Sequence, residues 1–279
     1  MVIPRFPLAE IIDAGLEILT DNFAFITRAI SHVTDSGIRA VESGLLWLPP
    51  WVLIAVFFVI GWRVAGKNTG IFIALGLAFL WNLGLWTPTI QTLSLVVIAT
   101  LIAVMIGIPL GILAAISQIA FRIITPILDF MQTMPAFVYL IPAIPFFGLG
   151  RVSAIFSTVI FAVPPAIRLT ALGIKQVPAE LIEAADSFGS TKGQKLVKLQ
   201  LPLAMPTIMA GINQTIMLAL SMVVIAAMIG AKGLGGEVWK AIQRLEPGDG
   251  FEAGLGVVIL AMILDRLTQK IGRKTKAKA

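Results

Sequence analysis

Seven stretches of about twenty predominantly apolar residues run through the chain, near 47–65, 69–86, 89–117, 126–148, 152–171, 205–230 and 251–268. About that many residues are needed for one helix to cross the ~30 Å hydrocarbon core of a bilayer. A helix also satisfies its own backbone donors and acceptors where no water can do so. The expected fold is therefore all-α and polytopic, with about seven transmembrane helices. The second and fifth segments are short, and Pro109, Pro135, Pro142 and Pro164 interrupt others. Composition agrees: 58% of the 279 residues are hydrophobic and 13% are charged. A soluble fold of this size could not cover so much apolar surface. There is no cysteine and one histidine, His32, which excludes disulfides, thiol nucleophiles and histidine-based metal sites.

Residues 7–30 differ from the spans. Leu8, Ile11, Ile12, Leu16, Leu19, Phe23, Ile26 and Ile30 follow helical spacing, and Glu10, Asp13, Glu17 and Asp21 fall on the opposite face. This stretch should lie on the membrane rather than cross it, and its acidic face argues against simple attraction to anionic lipid. No basic flank leads directly into an apolar run at the start, so no cleavable signal peptide is expected.

Basic residues set the orientation. Arg168, Lys175, Lys192, Lys195 and Lys198 lie between the fifth and sixth spans, and Arg266, Lys270, Arg273, Lys274, Lys276 and Lys278 lie at the C-terminus. With Arg63, Lys67 and Arg122 in short loops, all four regions fall on one side of a seven-span chain. That side should be cytoplasmic, with the C-terminus inside and the N-terminus outside. Lys232, Lys240 and Arg244 in the outer loop 231–250 oppose this assignment. The basic tail reads as a membrane-flanking anchor and not as a nucleic-acid arm. Ala103, Gly107, Gly111 and Ala115 form a small-residue ladder, suited either to packing within the chain or to a dimer contact.

The loop from Val177 to Pro202 carries the strongest pattern. Pro178 suits a first helical turn. Leu181, Ala184, Ala185 and Phe188 make an apolar face, and Gly189 can close the helix in a left-handed conformation. Thr191 and Gln194 have capping-box spacing for a second short helix, which Pro202 follows. A helix–glycine turn–helix projection with an apolar stripe, too short to bury itself, suits docking onto another protein.

Glu183-Ala184-Ala185, Gly189 six residues after the glutamate, and Leu201-Pro202 preceded by Leu199 resemble the EAA loop of bacterial ABC importer permeases. The family usually has isoleucine where this chain has Leu199. The resemblance implies that the loop, here 172–204, forms a coupling helix seated on a separate ATPase subunit. Glu183 would make polar contacts there, Ala184 and Ala185 would allow close approach, and Gly189 would set the bend. The segments Asp129 to Pro142, Pro164 to Arg168, Gly173 to Pro178 and Gly211 to Met222 are similar to the glycine betaine/proline betaine permeases, and the matches extend over 89–268. That resemblance implies a type I ABC importer permease core over 89–268. Before it lie the amphipathic region 1–46 and two helices in 47–88, and the basic tail 269–279 follows. It also implies a permease homodimer, an extracytoplasmic solute-binding protein, and ATP with Mg held by the partner ATPase and not by this chain.

Gly61 to Lys67 matches most of a phosphate-binding loop, but Asn68 stands where a magnesium-holding Ser or Thr is required. With no other such motif, ATP hydrolysis must come from another chain. Gln132, Tyr139, Asn213, Gln214 and Ser221 are polar groups within apolar spans, which either line a path for a zwitterion or tie helices together. Asp129 either serves function or pairs with Arg122 or a neighbouring helix. One tyrosine and no clustered tryptophans leave no aromatic cage in the core for a quaternary ammonium. Selectivity set by an external binding protein fits this. The competing readings are a permease for another small solute, such as an amino acid or osmolyte amine, and an ion-gradient-driven carrier. The carrier would favour inverted repeats and paired intramembrane charges, neither of which is visible.

Overall fold

The computed structural model describes residues 7–276, and among these there are helices and no strands. Helix α1 (Leu8–Trp47) has 40 residues and is ~60 Å long at 1.5 Å per residue. The amphipathic pattern read for 7–30 thus continues to Trp47. It stops because Leu48 precedes two prolines and takes an extended conformation, which a residue before proline favours. Pro50 then occupies the first turn of α2 (Pro50–Ala65), and the chain bends by 102° between the two helices. Glu42 on α1 accepts from Arg151 at 2.8 Å, with 14% and 27% of the two side chains exposed, fixing α1 to the central bundle.

Helices α2 and α3 (Lys67–Asn82) form a hairpin about Gly66, which holds a positive φ of 95°. Gly61 and Gly70 face each other across it; a Cβ on Gly61 would lie 2.5 Å from Ile73 and 3.3 Å from the Gly70 Cα. The phosphate-loop lookalike is therefore a helix–helix turn.

The centre is built from α4 (Trp86–Ile116), α7 (Arg151–Lys175) and α10 (Leu201–Ala227), the three helices that share the main core. The small-residue ladder is what seats α4 on α7. A Cβ on Gly107 would stand 2.6 Å from the Ala166 Cβ, and one on Gly111 would stand 2.6 Å from the Thr170 Cβ. Ala103 is fully buried in the same core, and Ala115 packs against Ile174, Ala204 and Ile208. The ladder serves packing within the chain.

The region expected as one span at 126–148 is two helices. After α5 (Gln118–Thr133), Met134 is extended before Pro135, a 3-10 turn covers Ala136–Tyr139, and α6 (Leu140–Phe147) leaves at 114° to α5. Proline again explains the break, since it disfavours helical geometry in the residue before it. Two short helices follow α7, namely α8 (Ala179–Ser187) and α9 (Lys192–Lys195). A π turn over Leu196–Gln200 joins α9 to α10 without a stop. Pro202 accordingly does not end the second short helix; it sits in the first turn of α10, where its missing N–H costs no bond. The chain closes with α11 (Leu234–Arg244) and α12 (Pro247–Lys276).

By length and composition, three helical stretches among the described residues can cross a membrane: Trp86–Ile116, Arg151–Lys175 and Lys192–Ala227. The count rises to five if the bent pairs α1–α2 and α5–α6 each act as one span. Helices α2 and α3 have 16 residues each, or ~24 Å, short of a full crossing. The seven apolar stretches therefore all lie on helices, but they do not correspond to seven helices of spanning length. Residues 1–6 and 277–279 of the N-terminal region and basic tail lie outside the described residues.

Candidate functional site

Helix α8 stands away from the bundle: none of its residues is buried. Pro178 precedes its first residue, and Glu180 lies in the first turn, favoured by the positive helix end. Glu183 and Ala184 are exposed and Ala185 is half-buried. At the far end, Gly189 adopts φ +74°. Its N–H donates to the Asp186 carbonyl at 2.9 Å and that of Ser190 to the Ala185 carbonyl at 3.0 Å. This is a Schellman ending, which needs a left-handed residue at the glycine position. A Cβ on Gly189 would meet no atom within 4 Å, so backbone conformation alone demands glycine.

The second half of the loop is equally determined. Thr191 Oγ1 accepts from the Gln194 N–H at 3.3 Å, and Gln194 Oε1 accepts from the Thr191 N–H at 2.9 Å, a complete capping box. Lys195 donates to Asp186 at 2.7 Å and ties α9 back to α8. Leu201 packs on Ile174, Ala204 and Ile208 beneath the loop. Apolar side chains remain uncovered above it: Phe188 is 90% exposed and Val197 62%, with Leu181 also exposed. The projection therefore pairs an apolar surface and an exposed carboxylate, Glu183, with a continuous helical stem from Lys192 to Ala227 that enters the core. Sequence reasoning missed Val197 and the Lys195–Asp186 pair; the i+9 separation has no periodic signature.

The five polar residues within the apolar segments divide into two groups. Tyr139 is buried; its hydroxyl donates to the Met131 carbonyl across the α5–α6 break, and its ring meets Phe161 edge-on at 5.6 Å. Asn213 donates to Asp265 at 2.9 Å and accepts from Thr268 at 2.5 Å, fastening α10 to α12. Asp265 also accepts from Gln269 at 2.7 Å. These two side chains are engaged as ties between segments. Gln214 and Ser221, by contrast, are exposed and two turns apart on one face of α10, and Gln132 is exposed on α5. Asp129 pairs with Arg168 on the neighbouring α7. Lys175 lies 3.2 Å from the centre of the Phe121 ring, a second attachment of α7 to α5.

Residues 107–276 match the family of inner membrane components of binding-protein-dependent transport systems. The chain belongs to that family. The glycine betaine/carnitine transport permease protein GbuB of Listeria monocytogenes is 52% identical over 279 residues, covering 99% of each chain. The glycine betaine transport system permease protein OpuAB of Bacillus subtilis is 49% identical over 276 residues, covering 99% of this chain and 98% of its relative. An inward-facing crystal structure of the MetNI methionine ABC transporter aligns with a TM-score of 0.60 at 25% identity, over 70% of this chain and 96% of that one. The chain is thus a multi-pass inner-membrane component of an ABC transporter, a permease subunit and not an enzyme, and it assembles with ATPase partners. The family match begins at Gly107, so α8, α9, the α10–α12 tie and the Gly107 and Gly111 contacts of α4 with α7 all lie within the family region, whereas α1 to α3 precede it.

Proposed function

We propose that this permease admits glycine betaine or a related quaternary-ammonium osmoprotectant, as a homodimer with two ATPase subunits and an extracytoplasmic solute-binding protein. The observation that carries the solute class is the near-50% identity, over almost the whole length, to permeases named for glycine betaine. Helix α8 is the coupling helix. Glu183 meets polar groups of the ATPase, Ala184 and Ala185 let it approach, and Gly189 holds the bend. Leu201 and Pro202 root the following stem. Support comes from the exposure of α8, its fixed Schellman ending and the unbroken helix beyond it.

The α8 end faces the cytoplasm and the N-terminus lies outside, as the basic residues of 168–204 and the C-terminal tail favour. Nucleotide and Mg belong to the ATPase. Closure of two ATPases on ATP moves the paired α8 helices, the permease halves open outward to accept solute, and hydrolysis resets them. Two global states, each biased by a different ligand, are the minimum for such coupling. Gln132, Gln214 and Ser221 supply polar groups toward the path between the halves, since exposure of polar side chains to lipid is costly. The test is reconstitution of the permease with its ATPase and binding protein in vesicles. ATP-dependent uptake of glycine betaine, inhibited by carnitine or choline more than by proline, is expected. Uptake independent of ATP, or indifferent to all quaternary ammonium competitors, would refute the reading.

A further inference from the structure

The end of the bundle opposite α8 holds a second feature. Helix α10 is ~40 Å long, and beyond its far end a cavity of about 450 Å³ opens between the first turn of α4 and the 230–240 segment. Thr87, Gln91, Lys232, Gly236, Glu237 and Trp239 are among its lining residues. The walls are preformed. The Leu234 N–H donates to buried Thr92 Oγ1 at 2.8 Å, and a Cβ on Gly233 would lie 2.5 Å from that same oxygen. Gly235 is pressed equally closely on Val223 of α10. The loop into α11 is therefore held rigidly between α4 and α10.

The lining chemistry has two ends. Lys232 is exposed and has no ion-pair partner among the described residues. Helices α4 and α11 both begin at this cavity, after Leu85 and Gly233, neither of which supplies a side-chain cap. First-turn amides other than that of Leu234, together with the positive helix ends, favour an anionic group beside Lys232. Trp239 and the Glu237 carboxylate lie on the α11 side. An indole face attracts a quaternary ammonium. Glu237 is paired with Lys240 at 2.8 Å, and Lys240 also lines the cavity, so that carboxylate is already balanced and the indole of Trp239 is left as the group that attracts a cation. The volume is in the range of small-solute sites.

We propose that this cavity is an entry site on the permease for a small zwitterion. The quaternary ammonium sits at the indole of Trp239, and the carboxylate sits at Lys232 beside the two helix starts. This rests on the solute class proposed above. A single aromatic wall makes the site weak, which suits a place that receives solute and passes it on.

The chain has no cysteine, so Thr87→Cys at the exposed rim provides a reporter. Labelling by a maleimide is followed in the permease–ATPase complex without binding protein, with glycine betaine as probe. Betaine should slow labelling. Trp239→Leu and Lys232→Gln should each raise the half-protecting concentration by about fivefold, and Trp239→Phe, which keeps an aromatic face, should preserve protection. If Trp239→Leu disturbs the rim, its labelling without betaine will change, and Lys232→Gln against Trp239→Phe then decides. Absence of protection by betaine, or protection undiminished in Lys232→Gln and Trp239→Leu alike, overturns the site. ATP-driven uptake by the complete transporter is measured alongside. Protection without betaine uptake removes the solute assignment but keeps the site, and uptake without protection removes the site alone.

Discussion

Replacing Gly189 by valine isolates the contribution of one backbone conformation to ATPase docking. The glycine sits at φ +74° with open space where a Cβ would go, so the substitution introduces no clash with neighbours. What it introduces is left-handed strain, ~1–2 kcal/mol for an L-residue and more for a β-branched one. If the backbone relaxes instead, the bonds from Gly189 and Ser190 to the Asp186 and Ala185 carbonyls are lost, at ~1 kcal/mol each. Either route costs about 2 kcal/mol or somewhat more. Helix α8 has nine residues, none buried, and a helix that short is marginal on its own. The ratio of ordered to disordered α8 should therefore fall by about thirtyfold, and ATPase affinity by up to that factor, because docking selects the ordered form. Gly189→Asn is the control, since asparagine tolerates the left-handed region and should retain most of the affinity. The assay is ATPase binding to purified permease variants, together with thermal unfolding of the bundle, which should not change. Wild-type binding by Gly189→Val, or equal loss in Gly189→Asn, would refute the reasoning.

Gly107→Leu should prevent the α4–α7 seam from closing, since even a Cβ there would stand 2.6 Å from Ala166, and the yield of monodisperse protein from membranes should collapse; normal yield would show that the seam can open. Asn213→Leu removes the partner of Asp265 and Thr268 and should destabilise the detergent-solubilised protein by ~1–3 kcal/mol in thermal unfolding. The same change should lower the maximal uptake rate more than it shifts half-saturation, and a large rise in half-saturation at an unaltered maximal rate would place a selective site at Asn213. Ser31→Cys on α1 should react with an impermeant thiol reagent in intact cells; labelling only after lysis would invert the orientation.

The all-helical membrane class, the helix–glycine–helix form of the loop from Val177 to Pro202 and its capping box were legible in the sequence because each is local. Apolar run length, a proline before a helix, a glycine where φ must be positive, and Thr191 three residues from Gln194 all act within a turn or two of chain. The places where local reading fell short involve partners far away in sequence. Pro135 was visible, but whether a proline kinks a span or divides it depends on what receives the freed backbone. Here Tyr139 reaches back to Met131 and Ser157 caps the Tyr139 carbonyl at 3.0 Å, so the chain turns through 114°. Pro202 reads locally as a residue that follows a helix, yet α9 feeds through a π turn into α10, where Leu201 is held by packing on Ile174 and Ile208 beneath it. The ladder at Ala103, Gly107 and Gly111 announced close approach without naming a partner, and only the fold chose α7 over a second copy. Asn213 could have faced solute or helix until α12 placed Asp265 and Thr268 against it, 52 and 55 residues on. Hydrophobic periodicity reports which side of a helix is apolar. It carries no information on which distant side chain will satisfy a buried polar group, because that choice belongs to packing among helices and not to any one of them.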